Sequence, residues 1–231
     1  MIATMGEALV DLIEQPDGRF EACLGGSVCN FTIGLARQGV STRYLNPLSE
    51  DHFGQCFATL LQDTGVGLAQ AARSGCPTAL AVVSLDGQGA PTYAFHRQGV
   101  ADRDISAARF IAGFPQQMEL LHTGGLALVP EDIEKTLATI RAAVGHGALV
   151  SIDANMRPMV VRDLGAYAEG VKRALAQAHI VKVSNEDLDA LGIDSASLER
   201  IGAALFAHSA VELIVFTRGA GGAALLTRAR A

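Results

Sequence analysis

The sequence predicts an α/β protein with a mostly parallel sheet flanked by helices, and three observations lead to this fold class. Short β-rich runs alternate with helical periodicity through nearly the whole chain of 231 residues. Hydrophobic residues make up 49% of the chain, enough to bury one sizeable core. Two pairs of β-type runs form hairpins that predict an additional small sheet. We therefore expect a single domain, residues 1–231, with lid strands at about 8–23 and 78–97.

The N-terminal half shows strands, turns and helical periodicity in close succession. Turn residues at Pro16–Gly18 favour an early hairpin, and Asp86–Gly89 favours a second one. The other predicted elements of this half are strands at Ile2–Met5, Ala8–Ile13, Arg19–Cys23, Thr42–Asn46, Thr78–Ser84 and Pro91–His96, and helices at Val28–Gln38 and Phe53–Gln62.

The C-terminal half returns to regular alternation from Leu120 onward. Pro130 suits the first turn of a helix, because its missing N–H is not needed there. The predicted elements are strands at Leu120–Thr123, Leu149–Asp153, Ile180–Val183 and Leu213–Thr217, and helices near Pro130–Val144, Gly165–Ala176 and Ser195–Ala207.

Composition and charge exclude several classes of protein. The net charge is −6, and Lys and Arg are scattered singly, so no nucleic-acid partner is expected. The first fifteen residues are acidic and do not resemble a signal peptide, and no apolar run is long enough to span a membrane. The four cysteines lack the spacing of a zinc site or of a disulfide scaffold. We expect reduced thiols in a cytoplasmic protein, with Cys29 packing beneath the following loop rather than acting as a nucleophile.

The segment Gly25–Asn30 predicts a ligand-holding loop that leads into a helix. Paired glycines let the backbone approach a ligand closely, because no Cβ intrudes. Asn30, one turn into the helix, offers both a donor and an acceptor to a hydroxyl group. Asp11 lies at the mouth of an early strand, where a carboxylate can accept two hydroxyl hydrogen bonds. The alternative for Asp11 is an ordinary solvated strand residue.

Six motifs in order resemble the PfkB/ribokinase family of sugar kinases over essentially the whole chain. This resemblance implies a ribokinase-like, Rossmann-like α/β domain with a β-sheet lid, and transfer of the ATP γ-phosphate to a sugar hydroxyl with Mg²⁺. The motifs are Gly6-Glu7 with Asp11, Gly25-Gly26-Ser27-Val28-Cys29-Asn30, Asp51-His52-Phe53-Gly54, Asp153-Ala154-Asn155-Met156-Arg157-Pro158, Lys182-Val183-Ser184-Asn185-Glu186-Asp187 and Thr217-Arg218-Gly219-Ala220-Gly221-Gly222-Ala223.

The resemblance also implies roles for individual residues. Sugar-binding residues would be Asp11, Gly25, Gly26, Asn30, Arg97 and Asn155, and Arg157 would offset charge on the phosphoryl group. Nucleotide-binding residues would be Ser184, Thr217, Gly219 and Gly222, and Glu186 or Asp187 would reach magnesium through water. The family usually shows Asn-x-x-Glu where this chain has Ser184 and Asp187. A simple helix start there, an Asx turn at Asn155 and a ligand-free glycine hairpin at Gly219–Gly222 are the structural alternatives.

The substrate prediction rests on the lid strand. Tyr93–Arg97 resembles the fructokinase and 2-keto-3-deoxygluconate kinase branch, and overall likeness favours fructose. A nucleoside kinase and a non-catalytic sugar-binding protein are the alternatives. A Rossmann dehydrogenase is disfavoured because no Gly-x-Gly-x-x-Gly follows the first strand. A homodimer through the lid and a requirement for a monovalent cation are left open.

One element of the family pattern is missing from the sequence. The family carries a Gly-Ala-Gly-Asp stretch whose Asp is the catalytic base, whereas Gly219–Gly222 is followed by Ala223. We expect a chain truncated at its C-terminal portion, with one face of the sheet less covered and with almost no activity, since losing a base costs about 10²–10⁴-fold.

Overall fold

The computed structural model describes residues 1–85 and 91–228, which form a mixed α/β structure and confirm the predicted fold class. The chain divides into two compact units. The N-terminal unit is Gly6–Phe114, and the C-terminal unit is Met1–Met5 with Pro115–Ala231. The single domain expected over residues 1–231 stays a prediction.

The N-terminal unit contains a four-stranded sheet, two longer helices and a short parallel strand pair. Its elements are β2 (Leu9–Glu14), β3 (Phe20–Gly25), α1 (Ser27–Arg37), β4 (Thr42–Tyr44), α2 (His52–Asp63), β5 (Gly67–Leu68), β6 (Ala79–Leu85), β7 (Pro91–His96) and α3 (Ala107–Ala112). The sheet runs β3-β2-β6-β7, with antiparallel pairs at both ends and a parallel pair in the centre. It is the predicted small sheet. The turn expected at Asp86–Gly89 lies outside the described residues.

The core of this unit lies between one face of the small sheet and the two helices. Val10 of β2, Ile33 of α1 and Phe57 of α2 belong to one buried cluster, and Leu12 and Leu24 pack against it. Alternation explains this arrangement, because every second residue of a strand points to the same face. Asp11, between Val10 and Leu12, therefore points to the opposite face.

The C-terminal unit is a six-stranded sheet with helices. Its elements are β1 (Ile2–Met5), β8 (Leu120–Gly124), α4 (Ile133–Gly145), β9 (Leu149–Asp153), α5 (Leu164–Leu175), β10 (Ile180–Ser184), α6 (Asn185–Leu191), α7 (Leu198–Phe206), β11 (Leu213–Thr217) and β12 (Ala223–Thr227). The strand order within the unit is β12-β11-β10-β9-β8-β1, parallel except for the hairpin of β11 and β12.

The two faces of this sheet differ in burial. Val150, Ile152, Val181 and Val183 alternate onto one face and are fully buried, while α4 contacts β8 and β9 and α6 contacts β10. The residues between them are more polar and are in part exposed, as at Asp153 and Ser184. Because the strands are parallel, the ends of β1, β8, β9, β10 and β11 share one edge of the sheet. Ligands of open α/β sheets bind at such an edge.

Several details of the predicted elements need correction. Pro130 is not in the first turn of a helix, since α4 begins at Ile133 and Pro130 belongs to the preceding turn. The short elements α3 and β5 were not predicted, whereas α6 and β12 correspond to the helix start and the glycine hairpin given as structural alternatives. Within the described parts of the chain, no helix combines the length and the apolar character that a membrane span requires.

Candidate functional site

Asp11 and the Gly25–Ser27 loop lie against each other in the N-terminal unit. Asp11 pairs with Cys23 across β2 and β3, and Gly25 is the last residue of β3. A Cβ added at Gly25 would lie only 2.5 Å from Asp11 Oδ2. The carboxylate thus occupies the space that any other residue at position 25 would fill. The structure brings together two of the predicted sugar-binding residues.

Gly26 shapes the entry into α1. Its φ is 104°, a conformation that residues with a Cβ rarely adopt, and a Cβ there would lie 2.4 Å from the carbonyl oxygen of Glu7. Asn30 is exposed on the first turn of α1, so its amide is accessible to a ligand. Cys29 is fully buried, as expected, and burial raises the pKa of its thiol to about 12. A nucleophilic role for Cys29 is therefore disfavoured, because the thiolate is the reactive form.

Arg97 is held in a buried ion pair. Its Nη2 donates to Asp102 Oδ2 at 2.7 Å, and the two side chains are only 9% and 3% exposed. The Arg97 carbonyl oxygen accepts a hydrogen bond from Arg103 Nη1. A sugar contact of Arg97 stays a prediction. The structure adds that the guanidinium already has an anionic partner, which sequence reasoning did not assign.

Asn155 and Arg157 follow β9 at the ligand-binding edge of the C-terminal sheet. Asn155 has a φ of 36°, one of two positive values among the described non-glycine residues. Such conformations cost free energy and are concentrated at functional sites. Arg157 Nη1 donates to the carbonyl oxygens of Asn155 and Met156 at 3.3 and 3.0 Å. The guanidinium thus folds back over its own loop at this edge.

The segment after β10 is a helix start, which was the alternative interpretation of this motif. Ser184 caps α6 and forms a capping box with Asp187. Asp187 Oδ2 accepts from the Ser184 N–H at 2.8 Å, and Asp187 Oδ1 accepts from the Met156 N–H at 2.7 Å. Both carboxylate oxygens of Asp187 therefore bind the main chain, while Glu186 is exposed. Main-chain and Ser184 hydrogen bonds lower the pKa of Glu186, so it is ionised at neutral pH.

Lys182 and Asp153 form an ion pair on adjacent strands of the same edge. They are direct partners in the β9–β10 register, and Lys182 Nζ lies 3.0 Å from Asp153 Oδ1. Burial raises the pKa of Asp153, and the lysine opposes this shift. Sequence analysis did not single out this ion pair.

Gly124, at the end of β8, is another residue of this edge that sequence analysis did not single out. A Cβ there would lie 2.0 Å from the Asp153 carbonyl oxygen, so β8 and β9 approach closely at this point.

The Thr217–Gly222 segment forms the tight turn of the β11–β12 hairpin. The Arg218 N–H donates to the Gly222 carbonyl at 2.8 Å, and the Gly222 N–H donates to the Gly219 carbonyl at 3.1 Å. Gly219 and Gly222 have φ values of 51° and 79°, so the turn itself favours glycine at both positions, even without a ligand. The hairpin alternative is thus seen, and nucleotide binding by Thr217, Gly219 and Gly222 stays a prediction. Thr217 pairs with Ser184 in register, so both lie at the ligand-binding edge.

The Asp51–Gly54 motif is a helix start. Asp51 Oδ1 accepts from the Gly54 N–H at 2.7 Å and caps α2, and Asp51 Oδ2 accepts from the Thr78 N–H at 2.7 Å. A Cβ at Gly54 would lie 2.0 Å from the Ser49 carbonyl oxygen. These contacts join α2 to the segment before β6 and account for the motif structurally.

The carboxylates at this edge limit how a magnesium ion could bind. Among residues 1–85 and 91–228, no group of three or more His, Cys, Asp and Glu side chains could hold a metal ion. Mg²⁺ commonly keeps several waters and binds through one or two carboxylates and the substrate phosphates. The exposed Glu186 fits such a water-mediated contact, whereas Asp187 is already fully engaged.

Comparisons with known proteins agree with this architecture. The model of the family described as pfkB family carbohydrate kinase matches residues 1–230. The chain is 31% identical to a fructokinase of Rhizobium leguminosarum bv. trifolii over 234 residues, covering 100% of this chain and 71% of that protein.

Solved structures give the same result. A fructokinase from Xylella fastidiosa superposes with a TM-score of 0.86 at 29% identity, covering 98% of this chain and 75% of that one. The same enzyme with bound ATP gives a TM-score of 0.84. A Vibrio cholerae O395 fructokinase with fructose, ADP and calcium gives 0.81 at 27% identity, covering 98% and 73% of the two chains.

A parallel sheet with a second small sheet, and polar residues at the carboxyl edge of its strands, define a ribokinase-like sugar kinase fold. The chain belongs to the pfkB family of carbohydrate kinases. The resemblance inferred from its motifs is confirmed.

Proposed function

We propose that this chain binds fructose and ATP as a fructokinase-type sugar kinase, with transfer of the γ-phosphate to a fructose hydroxyl. The observation that carries the proposal is the close approach of Asp11 Oδ2 to Gly25, which sets a carboxylate beside two consecutive residues without side chains. A carboxylate there can accept hydrogen bonds from two sugar hydroxyls. Gly26 and the exposed Asn30 complete this sugar-holding surface.

Fructose is preferred over the acid 2-keto-3-deoxygluconate because of the state of Arg97. An arginine that recognises a carboxylate uses its planar fork of donors. Here one Nη already binds Asp102, and the ion pair is buried. A neutral ketose hydroxyl needs only a single hydrogen bond from Arg97, whereas the carboxylate of a sugar acid would compete with Asp102 for its guanidinium. The fructokinases with bound ATP, and with fructose and ADP, support the same assignment.

The C-terminal unit supplies the proposed nucleotide-binding residues. Asn155 would contact the substrate, Arg157 would offset phosphoryl charge, and Ser184, Thr217, Gly219 and Gly222 would line the nucleotide site. Glu186 would hold Mg²⁺ through water, and a bound Mg²⁺ would offset charge on the phosphates. In the family the base lies in a Gly-Ala-Gly-Asp stretch, which these 231 residues do not contain. We therefore propose that the 231-residue chain binds sugar but turns it over very slowly.

One face of the small sheet carries exposed apolar side chains. Ile13, Val83 and Tyr93 are register partners on one face of the small sheet, and Ile13 and Tyr93 are 36% and 41% exposed. This apolar face supports a homodimer through the lid, and a measurement of the molecular mass in solution would test it.

The four cysteines are free, which supports a reducing compartment such as the cytoplasm.

Titration calorimetry of the 231-residue protein with fructose, 2-keto-3-deoxygluconate and adenosine tests the proposal. We expect binding of fructose, and a loss of about 10-fold or more in affinity for Asp11→Asn, because a charged acceptor is weakened without a change in volume. Asp17→Asn is the matched control, since Asp17 lies on the neighbouring exposed turn and pairs with Arg19. Binding of only the sugar acid or only adenosine would assign a different substrate, and binding of none of the three would refute the proposed function.

A further inference from the structure

Glu7 is a buried carboxylate that the proposed reaction does not use. It directly follows β1 and Gly6, and it is only 3% exposed. Burial raises the pKa of Glu7, while the nearby Arg97 lowers it. Charged residues are rarely buried without a specific partner. The contacts of this side chain are therefore informative.

The Glu7 side chain contacts the start of α1. Glu7 Oε1 accepts a hydrogen bond from the Ser27 N–H at 2.8 Å. The carbonyl oxygen of the same residue lies against Gly26, where an added Cβ would come within 2.4 Å. Both the side chain and the main chain of Glu7 thus touch the Gly25–Ser27 loop. The contacted residues are Gly26 and Ser27.

This arrangement is not explained by stability alone. Glu7 Oε2 is buried and has no hydrogen-bond partner among the described residues, and the same holds for Asp102 Oδ1. Burying an unsatisfied polar atom costs free energy, and a buried ionic cluster is often less stable than apolar residues of the same size. A leucine at position 7 would avoid that cost but would leave the Ser27 N–H without its acceptor.

Hydrogen bonds hold the Gly6–Glu7 segment in place. Asn46 Oδ1 accepts from the Gly6 N–H, and Asn46 Nδ2 donates to the Asp102 carbonyl, both at 2.8 Å. The Tyr44 hydroxyl donates to the Gly6 carbonyl at 2.7 Å. These bonds attach Gly6 to β4 and to Asn46, and Asn46 to Asp102, so the position of Glu7 beside the loop is defined by its neighbours.

We propose that Glu7 is a positioning residue, whose buried carboxylate sets the Gly25–Ser27 loop and so preorganises the sugar site formed with Asp11. The inference rests on the proposed function for its effect on sugar binding. The effect on the loop itself does not depend on any sugar. Preorganisation of a binding loop raises affinity by lowering the cost of ordering it.

The test compares variants that keep or remove the acceptor. Glu7→Leu removes it at similar volume, Glu7→Ala removes it with less volume, and Glu7→Gln retains an oxygen that can accept from the Ser27 N–H. Leu61→Ala is the control for general destabilisation, because Leu61 is fully buried on α2. Hydrogen–deuterium exchange of the Gly25–Asn30 segment and the Kd values for fructose and ATP are measured for each protein.

We expect Glu7→Leu and Glu7→Ala to speed exchange in this segment and to weaken fructose binding about 10–100-fold, since small displacements of positioning groups have such effects. ATP affinity should not change, and Glu7→Gln should restore both measurements to within about threefold. Leu61→Ala should lower Tm without a selective loss of fructose affinity.

Unchanged exchange and fructose affinity in both acceptor-free variants would overturn the inference, as would an equal loss in Leu61→Ala. If the unaltered protein binds no fructose, the proposed function fails, while the exchange data still decide whether Glu7 positions the loop. Should Glu7→Leu fail to fold, Glu7→Ala gives the same comparison.

Discussion

The space above Gly25 is filled by the carboxylate of Asp11. Replacing Gly25 with alanine would place a Cβ 2.5 Å from Asp11 Oδ2, so the side chain of Asp11 must turn away. Because the displaced group is the end of a side chain, the fold should tolerate the change. We expect Gly25→Ala to weaken fructose binding about 10–100-fold with little change in the free energy of unfolding.

Calorimetry and urea unfolding of Gly25→Ala check this expectation. Gly34→Ala is the matched control, because Gly34 lies within α1 and an added Cβ meets nothing within 4 Å. That control should gain about 0.5–1 kcal/mol of stability, since glycine is unfavourable inside a helix. Fructose affinity that is the same in Gly25→Ala and in the unaltered protein would show that the position of Asp11 is unimportant.

Sequence reasoning found part of the candidate site at this scale. Asp11, Gly25 and Gly26 were predicted, because glycines and a carboxylate at a strand end have recognisable chemistry. Glu7 was named only as part of a motif, and Asp102 received no role. Their importance comes from burial, and a sequence does not show that a charged residue is 3–5% exposed.

At the scale of elements, α6 depends on its capping box. Asp187 accepts main-chain hydrogen bonds from Ser184 and from Met156, so one carboxylate fixes both the helix start and the loop after β9. Asp187→Ala should lower the free energy of unfolding by about 2–4 kcal/mol, because one buried and one partly buried donor lose their carboxylate acceptor. Urea unfolding measures this loss.

Asp163→Ala serves as the comparison for Asp187→Ala. Asp163 caps α5 through a single hydrogen bond to the exposed Ala166 N–H, so a smaller loss of about 0.5–2 kcal/mol is expected. If Asp187 acted mainly through magnesium, its replacement would change the Mg²⁺ dependence of ATP binding and leave unfolding as before.

The length and composition of each element decided how well it was predicted. Leu149–Asp153 and Leu213–Thr217 have the predicted bounds, because each is a short apolar run rich in β-branched or aromatic residues. Ala107–Ala112 was missed because six residues are too few for helical periodicity to show. Ala223–Thr227 contains mostly Ala and Leu, and it forms a strand through pairing with β11.

At the scale of the whole molecule, His122 makes stability depend on pH. Burial, together with the nearby Lys182, lowers the pKa of His122 to about 4, and its Nδ1 lies 3.1 Å from Ser151 Oγ. The unfolded chain therefore binds a proton near pH 6.5 that the folded protein takes up only near pH 4. Stability should fall as the pH decreases through this window, and the His122 contribution at pH 5 is about 2 kcal/mol.

Urea unfolding at pH 7.5 and pH 5 tests this dependence. His122→Gln should remove most of the His122 contribution, whereas His52→Gln, at an exposed position on α2, serves as the histidine control. An equal loss of stability on acidification in His122→Gln and in the unaltered protein would assign the effect to other groups.

The close approach of Gly54 to the Ser49 carbonyl, at 2.0 Å for an added Cβ, has a consequence for how related sequences diverge. Any descendant that keeps α2 at this distance must keep glycine there, whether or not it still binds a sugar. Drift at Asn30, which is exposed, carries no such steric penalty. Glycine retained at position 54 in a distant relative would therefore indicate inherited architecture, whereas changes at Asn30 or Asp11 would bear on the proposed sugar site.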